Sequence, residues 1–320
     1  MPGLANLGNT CFLNATIQAL FHTNKLKKYL VNYPYPEKCS RELIFAKVLS
    51  GLMKEMEGSS FVVPMEFRKV FSIYFAFFRG NGQHDAHESL MFILEMLHQG
   101  FCESVEMKIT GDPSDPIKKK IHASMITFQR YFSKEYSMII SFFYGQLHSE
   151  IKCLECNRVS DSYDPFHCLS LPIPEQGGTL YDCIDLYQQS ELLSLGNEYS
   201  CEHCKKKVQS HKRITVWNAP KILIVQLIRF KGTSKNDTPI KVPLNLDLTK
   251  YINPLYTVNG VANKRYSLYS VIVHSGTPSG GHYYNYSKTP EGWFCFDDTN
   301  VSPVVTKEFD SGYTFFYEVV

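Results

Sequence analysis

VIVHSGTPSGGHYYNYSKTPEGWFCFDDTNVSPV, residues 271–304, has the pattern of an antiparallel sheet. Apolar and aromatic residues alternate with polar ones, the period-two signature of half-buried strands. Thr277-Pro278 and Gly280-Gly281 end one strand, and Thr289-Pro290 turns the chain again. Three antiparallel strands are predicted, near 266–274, 283–287 and 293–296. The same period begins at about Tyr144 and predicts further strands over 145–152, 222–229 and 314–319. Upstream the period is helical. Residues 11–23 lack Gly and Pro and carry Leu13, Ile17, Leu20 and Phe21 at helical spacing, with Asn9 and Thr10 as candidate caps. Further helices are predicted over 41–57, with Phe45, Val48, Leu52 and Met56 on one side, over 65–77, from near Gln83 through Leu90, Ile93, Leu94 and Leu97, and over 116–131 after the turn-rich Asp112 to Asp115. A helical lobe followed by a mostly antiparallel sheet is an α+β plan.

The composition agrees. Of 320 residues, 44% are hydrophobic and 20% charged, enough apolar surface for a core. The 22 Phe and 20 Tyr favour packed sheets or aromatic grooves over a helical bundle. A net charge of +2 gives no sustained basic stripe for nucleic acid, and the runs Lys118 to Lys120 and Lys205 to Lys207 read as solvated faces. No apolar run reaches the roughly 18 residues of a membrane span, and no signal peptide is evident. The expectation is an intracellular protein of cytoplasm or nucleus, a monomer without nucleic-acid or membrane partners. Its ten cysteines are then reduced, and are read first as nucleophiles or metal ligands.

Two stretches carry nucleophilic chemistry. Cys11 opens the first helix, where unpaired N–H groups and the macrodipole favour a thiolate. Asn6, five residues upstream, has an amide suited to an oxyanion, or is a turn residue. In the quoted stretch His282 follows two glycines, and Asp297 and Asp298 end the next strand. If the turn is centred between Thr289 and Pro290, position 282 falls opposite 297, with Cβ atoms about 4.5–5.5 Å apart. Asp297 would then orient the imidazole, with Asp298 the alternative orienter, an oxyanion neighbour or a turn cap.

Cys153-x2-Cys156 and Cys201-x2-Cys204 have the knuckle spacing of a structural zinc site; four free thiols are the alternative. Residues 157–200 between them are a longer span than in compact nucleic-acid fingers, suiting a metal that clamps long strand tips. His203 and His211 are read as surface residues. Cys39, Cys102, Cys168, Cys183 and Cys295 show no pairing pattern.

Taken together, GLANLGNTCFLNATIQAL resembles the Cys box of the ubiquitin-specific proteases, and VIVHSGTPSGGHYYNYSK with GWFCFDDTNVSPV resembles their His box. NGQHDAHESLMFILEML is similar to their Gln-x-Asp-Ala-x-Glu helix. YGQLHSEIKCLECNRVSDSYDPFHCLSLPI and PKILIVQLIRF match the stretches flanking the zinc-bearing region. The resemblance runs in order from Gly3 to Tyr317. It implies a papain-like thumb-palm-fingers catalytic domain: thumb 1–135, fingers 144–230 with one structural zinc and no catalytic cofactor, palm 220–320. It implies Cys11 as nucleophile, His282 as base, Asp297 as orienter, Asn6 as oxyanion donor and Asp298 as an assisting acid. Gln83, Asp85, Glu88 and Tyr283 fall where the family meets the ubiquitin tail, the acids facing its arginines and Tyr283 walling a channel that admits only Gly-Gly. Two residues depart from the pattern: His84 stands where Gln is common, and Ser89 replaces an aromatic or Leu. The implied activity is hydrolysis of the isopeptide or peptide bond after ubiquitin's last glycine. Hydrolysis of another ubiquitin-like modifier, or ubiquitin binding without turnover, are the alternatives.

Overall fold

The computed structural model describes residues 1–253, 255, 264–278, 280–305 and 307–320. Its centre is α1 (Cys11–Phe21), in which all eleven residues are buried. A helix buried on every side packs between layers rather than on a surface. Its polar residues are satisfied inside: the Thr16 hydroxyl donates to Phe12 O at 2.8 Å and pairs with Ser89 Oγ at 3.0 Å. Ser89 thus joins α1 to α5 (Ala86–Phe101) by a hydrogen bond where an apolar side chain was the family expectation.

The rest of the lobe comprises α2 (Asn24–Asn32), α3 (Arg41–Met56), α4 (Met65–Tyr74), α6 (Pro116–Phe132) and α7 (Met138–Phe143). Several starts are fixed by side chains: Ser40 Oγ accepts from Leu43 N, Asp85 from Glu88 N and Asp115 from Lys118 N, each filling an orphan-donor position. Pro116 follows Asp115 at the first helical position, where its missing N–H does no harm. The candidate caps of α1 behave differently. Asn9 is left-handed, φ 52°, and the Thr10 hydroxyl turns back to accept from Leu7 N, so no side chain caps α1. The predicted 65–77 helix ends at Tyr74, with a short 3-10 turn over Ala76–Phe78.

The main sheet runs in the order Asn300–Pro303, Gly292–Asp297, Gly280–Thr289, Arg265–Thr277, Gly312–Val319, Ile222–Leu227, Leu169–Leu171. Asn245–Asp247 pairs alongside Arg265–Thr277. All these pairings are antiparallel except Ile222–Leu227 with Leu169–Leu171. A second sheet of four strands, Val159–Phe166, Gly145–Cys153, Ser210–Asn218 and Glu191–Leu193, carries one cysteine pair at its tip; the hairpin Tyr199–Cys201 and Lys206–Val208 carries the other. α8 (Leu180–Tyr187), opened by a Thr179–Asp182 capping box, covers the main sheet. One apolar core fills the helical lobe and a second the sheet. α1 meets the strand Gly280–Thr289 where the two join.

Candidate active site

Cys11 is 2% exposed at the first turn of α1, beside the strand that carries His282. Burial raises the thiol above its ordinary range. The backbone N–H of Tyr283 pulls it down, the Asp298 carboxylate pushes it up, and the α1 N–H groups of Phe12 and Cys11 do not reverse the balance. Desolvation thus works against the thiolate that the helix end favours.

His282 Nε2 lies 2.5 Å from Asp297 Oδ1, both side chains being close to half exposed. The hairpin arithmetic that suggested this pair needs correction. The strands pair Thr289 with Gly292 and Asn285 with Phe296, so the turn is Pro290-Glu291 and the register is displaced by two from the expected one. A shift of two keeps every side chain on its face. His282 therefore reaches Asp297 along the face instead of directly across. No hydrogen bond joins His282 to Cys11; the sulfur faces the next residue, Tyr283, through its N–H.

Asp298 also lies within 4.8 Å of the His282–Asp297 pair, and two asparagines hold its carboxylate. Its Oδ2 accepts from Asn6 Nδ2 at 2.9 Å and its Oδ1 from Asn14 Nδ2 at 2.8 Å. Asn6 Oδ1 in turn accepts from Gly8 N at 3.0 Å and Thr10 N at 3.1 Å, folding the loop that delivers Cys11. Asn14 was not singled out from the sequence. The available signal was its spacing, three residues after Cys11 on one helical face.

A pocket of about 220 Å³ lies beside Tyr283, the residue next to His282. Gln83, Asp85, Phe230, His274, Gly281 and Tyr283 are among its walls. Gly281 is required here: a Cβ would lie 2.2 Å from His274 Nε2 and 2.6 Å from Ser275 O. The His274 ring packs 4.6 Å from that of Tyr283, and burial holds it neutral, its pKa lowered to about 4. Asp85 Oδ1 caps α5 while its Oδ2 accepts from Tyr313 OH at 2.7 Å and Tyr283 OH at 3.4 Å. Beyond it a cleft of about 560 Å³ includes Glu88, Phe92 and Glu95. Burial, then the neighbouring Asp85, raise the Glu88 carboxyl above its usual value. Gln83 Nε2 donates to Asn9 Oδ1 at 3.1 Å, tying the entry of α5 to the loop before Cys11. A cavity of about 770 Å³ between α6 and Val159–Phe166 is larger but contains none of these groups.

The sequence of the family described as ubiquitin carboxyl-terminal hydrolase matches residues 2–317. The chain belongs to this family. Its similar members include ubiquitin carboxyl-terminal hydrolase 21 of Rattus norvegicus, 31% identical over 99% of the chain and 61% of that protein. Ubiquitin carboxyl-terminal hydrolase 4 of Saccharomyces cerevisiae (strain YJM789) is 31% identical over 95% of the chain and 37% of that protein. The chain thus spans less than two thirds of these relatives. The fold is likewise that of the SAGA Ubp8/Sgf11/Sus1/Sgf73 DUB module structure bound to ubiquitin aldehyde, with TM-score 0.78 and 25% identity over 100% of this chain and 70% of that one.

At the tip of the second sheet the four cysteines of the two knuckles come together. Cys153 Sγ lies 3.9 Å from Cys204 Sγ, and Cys156 Sγ 3.7 Å from Cys201 Sγ. All four sulfurs fall within 4.8 Å of one another and none is in a disulfide. A tetrahedral ion with metal–sulfur bonds of about 2.3 Å needs sulfurs about 3.8 Å apart, so the quartet could hold one. His203 and His211 are exposed and stand outside it. Among the described residues no helix is long and apolar enough to cross a membrane.

Proposed function

We propose that this chain is a thiol-dependent deubiquitinase that cleaves the bond after ubiquitin's C-terminal glycine. The observation that carries the reading is the meeting of three features: a buried thiol at a helix start, an imidazole–carboxylate pair on the two adjoining strands, and a pocket beside them where Gly281 leaves no room for a Cβ. Asp297 holds Nε2–H of His282, which makes Nδ1 the nitrogen that accepts a proton. In the loaded site Cys11 passes its proton to Nδ1 and its sulfur attacks the glycine carbonyl carbon. The oxyanion is met by a second N–H of Asn6. His282 then gives the proton to the leaving lysine amine and the C–N bond breaks, leaving a thioester. Water, losing a proton to His282, hydrolyses it and restores the thiol.

The pocket selects Gly-Gly by excluding larger residues, with Tyr283 as wall. Glu88 and Asp85 lie where a cationic tail would run, and Glu88, unlike Asp85, carries no tyrosine on its carboxylate. The domain division 1–135, 144–230 and 220–320 fits this work: helical lobe and main sheet enclose the tail, and the second sheet holds the body of ubiquitin. Zinc suits four thiolates at this spacing better than harder or octahedral ions, and it would brace the tip of that sheet. Reduced cysteines suit an intracellular setting. Incubation with di-ubiquitins of several linkages, and in parallel with chains of other ubiquitin-like modifiers, tests the reading. Release of mono-ubiquitin that Cys11→Ala abolishes supports it. Cleavage confined to another modifier transfers the activity to that substrate, and cleavage of none removes the reading.

A further inference from the structure

α1 carries three residues in one line, Cys11, Asn14 and Gln18, at spacings of three and seven that share a helical face. The first is the thiol. The other two are buried amides that both reach the segment running before the helix. Gln18 Nε2 donates to Pro2 O at 2.7 Å, and Asn14 Nδ2 lies 3.2 Å from Leu4 O and 3.3 Å from Ala5 O. Each leaves its own carbonyl oxygen, Gln18 Oε1 and Asn14 Oδ1, buried without a hydrogen-bond partner. A buried unsatisfied oxygen is destabilising, so the site keeps these amides for what their N–H groups do.

Asn14 does more than hold backbone, because its shortest contact is Asp298 Oδ1 at 2.8 Å. The other oxygen of that carboxylate takes Asn6 Nδ2 at 2.9 Å. Asp298 sits at φ 51°, a left-handed turn conformation that Asp tolerates and that its neighbours can hold in place. They do so here: Leu4 N donates to Asp298 O at 2.8 Å, and Gly3 presses on Thr299 so closely that a Cβ would lie 2.5 Å from Thr299 O.

We infer that Asn14 is a positioning residue for the oxyanion donor: it fixes the Asp298 carboxylate, which fixes one N–H of Asn6 and so aims the other at the carbonyl under attack. The inference rests on the deubiquitinase reading. It ties donor and nucleophile to one helix, since Cys11 and Asn14 are one turn apart, and a tilt of α1 moves both together. A displacement of about 1 Å in such a group costs about 100-fold in rate.

The test compares the wild-type chain with Asn14→Ala, the isosteric Asn14→Asp, which loses the donor, and the swap Asn14→Asp with Asp298→Asn, which restores a donor–acceptor pair in reverse. Steady-state hydrolysis of a ubiquitin C-terminal amide is measured beside alkylation of Cys11 by iodoacetamide, which forms no oxyanion. Both single variants are expected to lower kcat about 10- to 100-fold with KM within about threefold; the alkylation rate stays within about threefold in Asn14→Ala, while the added carboxylate of Asn14→Asp, which raises the thiol as Asp298 does, slows alkylation by less than kcat falls. The swap is expected to recover about tenfold of the loss in Asn14→Asp. Should Asn14→Ala fail to fold, Asn14→Asp and its swap carry the same comparison. Hydrolysis within twofold of wild type, an equal fall in hydrolysis and alkylation, a change in KM alone, or no recovery in the swap overturns the inference while the functional reading stands. A wild-type chain that hydrolyses no ubiquitin substrate removes both.

Discussion

Cys11 shows how local and global electrostatics compete at one atom. The helix N-terminus, with the backbone N–H groups of Cys11 and Phe12, and the N–H of Tyr283 favour the thiolate, yet burial and the Asp298 carboxylate push the thiol up. Its sulfur is addressed by the N–H of Tyr283 and not by the imidazole of His282. The Cys11 thiol of the free chain should therefore be sluggish toward small electrophiles. Its iodoacetamide rate at Cys11 is expected to be still rising at about pH 9, the ordinary thiol value. A rate that levels off below about pH 7 would mean a preformed thiolate–imidazolium pair and contradict the description. Asp297 is the second residue-scale case. Its oxygen accepts from Nε2 and fixes which nitrogen is left as base, whereas Asp298 is committed to two asparagines. Replacing Asp297 by Ala is expected to lower kcat by about 10²- to 10⁴-fold with little change in melting temperature, since the pair is close to half exposed. An Asp297→Ala enzyme of near-normal kcat would give the orienting role to Asp298.

Among the elements, the tip that carries the four cysteines has the smallest apolar cluster of its own, and the proposed zinc would brace it. Its apolar cluster is only Cys153, Cys201 and Val208, with Cys156, Tyr199 and Cys204 packed against it. So small a cluster cannot hold a hairpin at the end of long strands. Chelation of the metal, or Cys201→Ser, is expected to open residues 199–208 to protease while the helical lobe and main sheet stay resistant. Uniform resistance after metal removal would show that the strands alone suffice. The same elements show how far the chain could be read. The strands of residues 271–304 follow from period two, and the knuckles from spacing. The Pro290-Glu291 turn was misplaced because Thr289-Pro290 and Pro290-Glu291 are equally good turn dipeptides. The error kept the faces intact because it was even. α2 escaped notice because only Leu26 and Leu30 are buried in a lysine-rich stretch. α8 escaped it for shortness, although Thr179 and Asp182 supplied the capping signal.

At the scale of the whole molecule, the proposed catalytic groups come from opposite ends of the chain and come together because α1 is sandwiched between α5 and the main sheet. What no period reveals is which buried polar groups bind the layers together. Asn14, Asp85 with Tyr283 and Tyr313, and Arg229 each join segments distant in sequence; the buried Arg229 guanidinium donates to carbonyls of Gly312, Asn236, Thr238 and Asp310. Burial also holds His22, His87 and His274 neutral, each lowered from 6.5 to about 4. Below pH 6.5 the unfolded chain gains protons that the folded chain refuses. This contribution to stability is full above about pH 6.5 and is lost as the pH falls toward 4. The melting temperature is expected to drop steadily across that window; a flat profile would show these rings to be solvated.

The most direct measurement uses ubiquitin whose C-terminal glycine carries an electrophile, followed by peptide mapping of the adduct. One ubiquitin per chain, attached at Cys11 and absent in Cys11→Ala, is the predicted result. Attachment at any other cysteine, or none at all under conditions where iodoacetamide reaches Cys11, would contradict it.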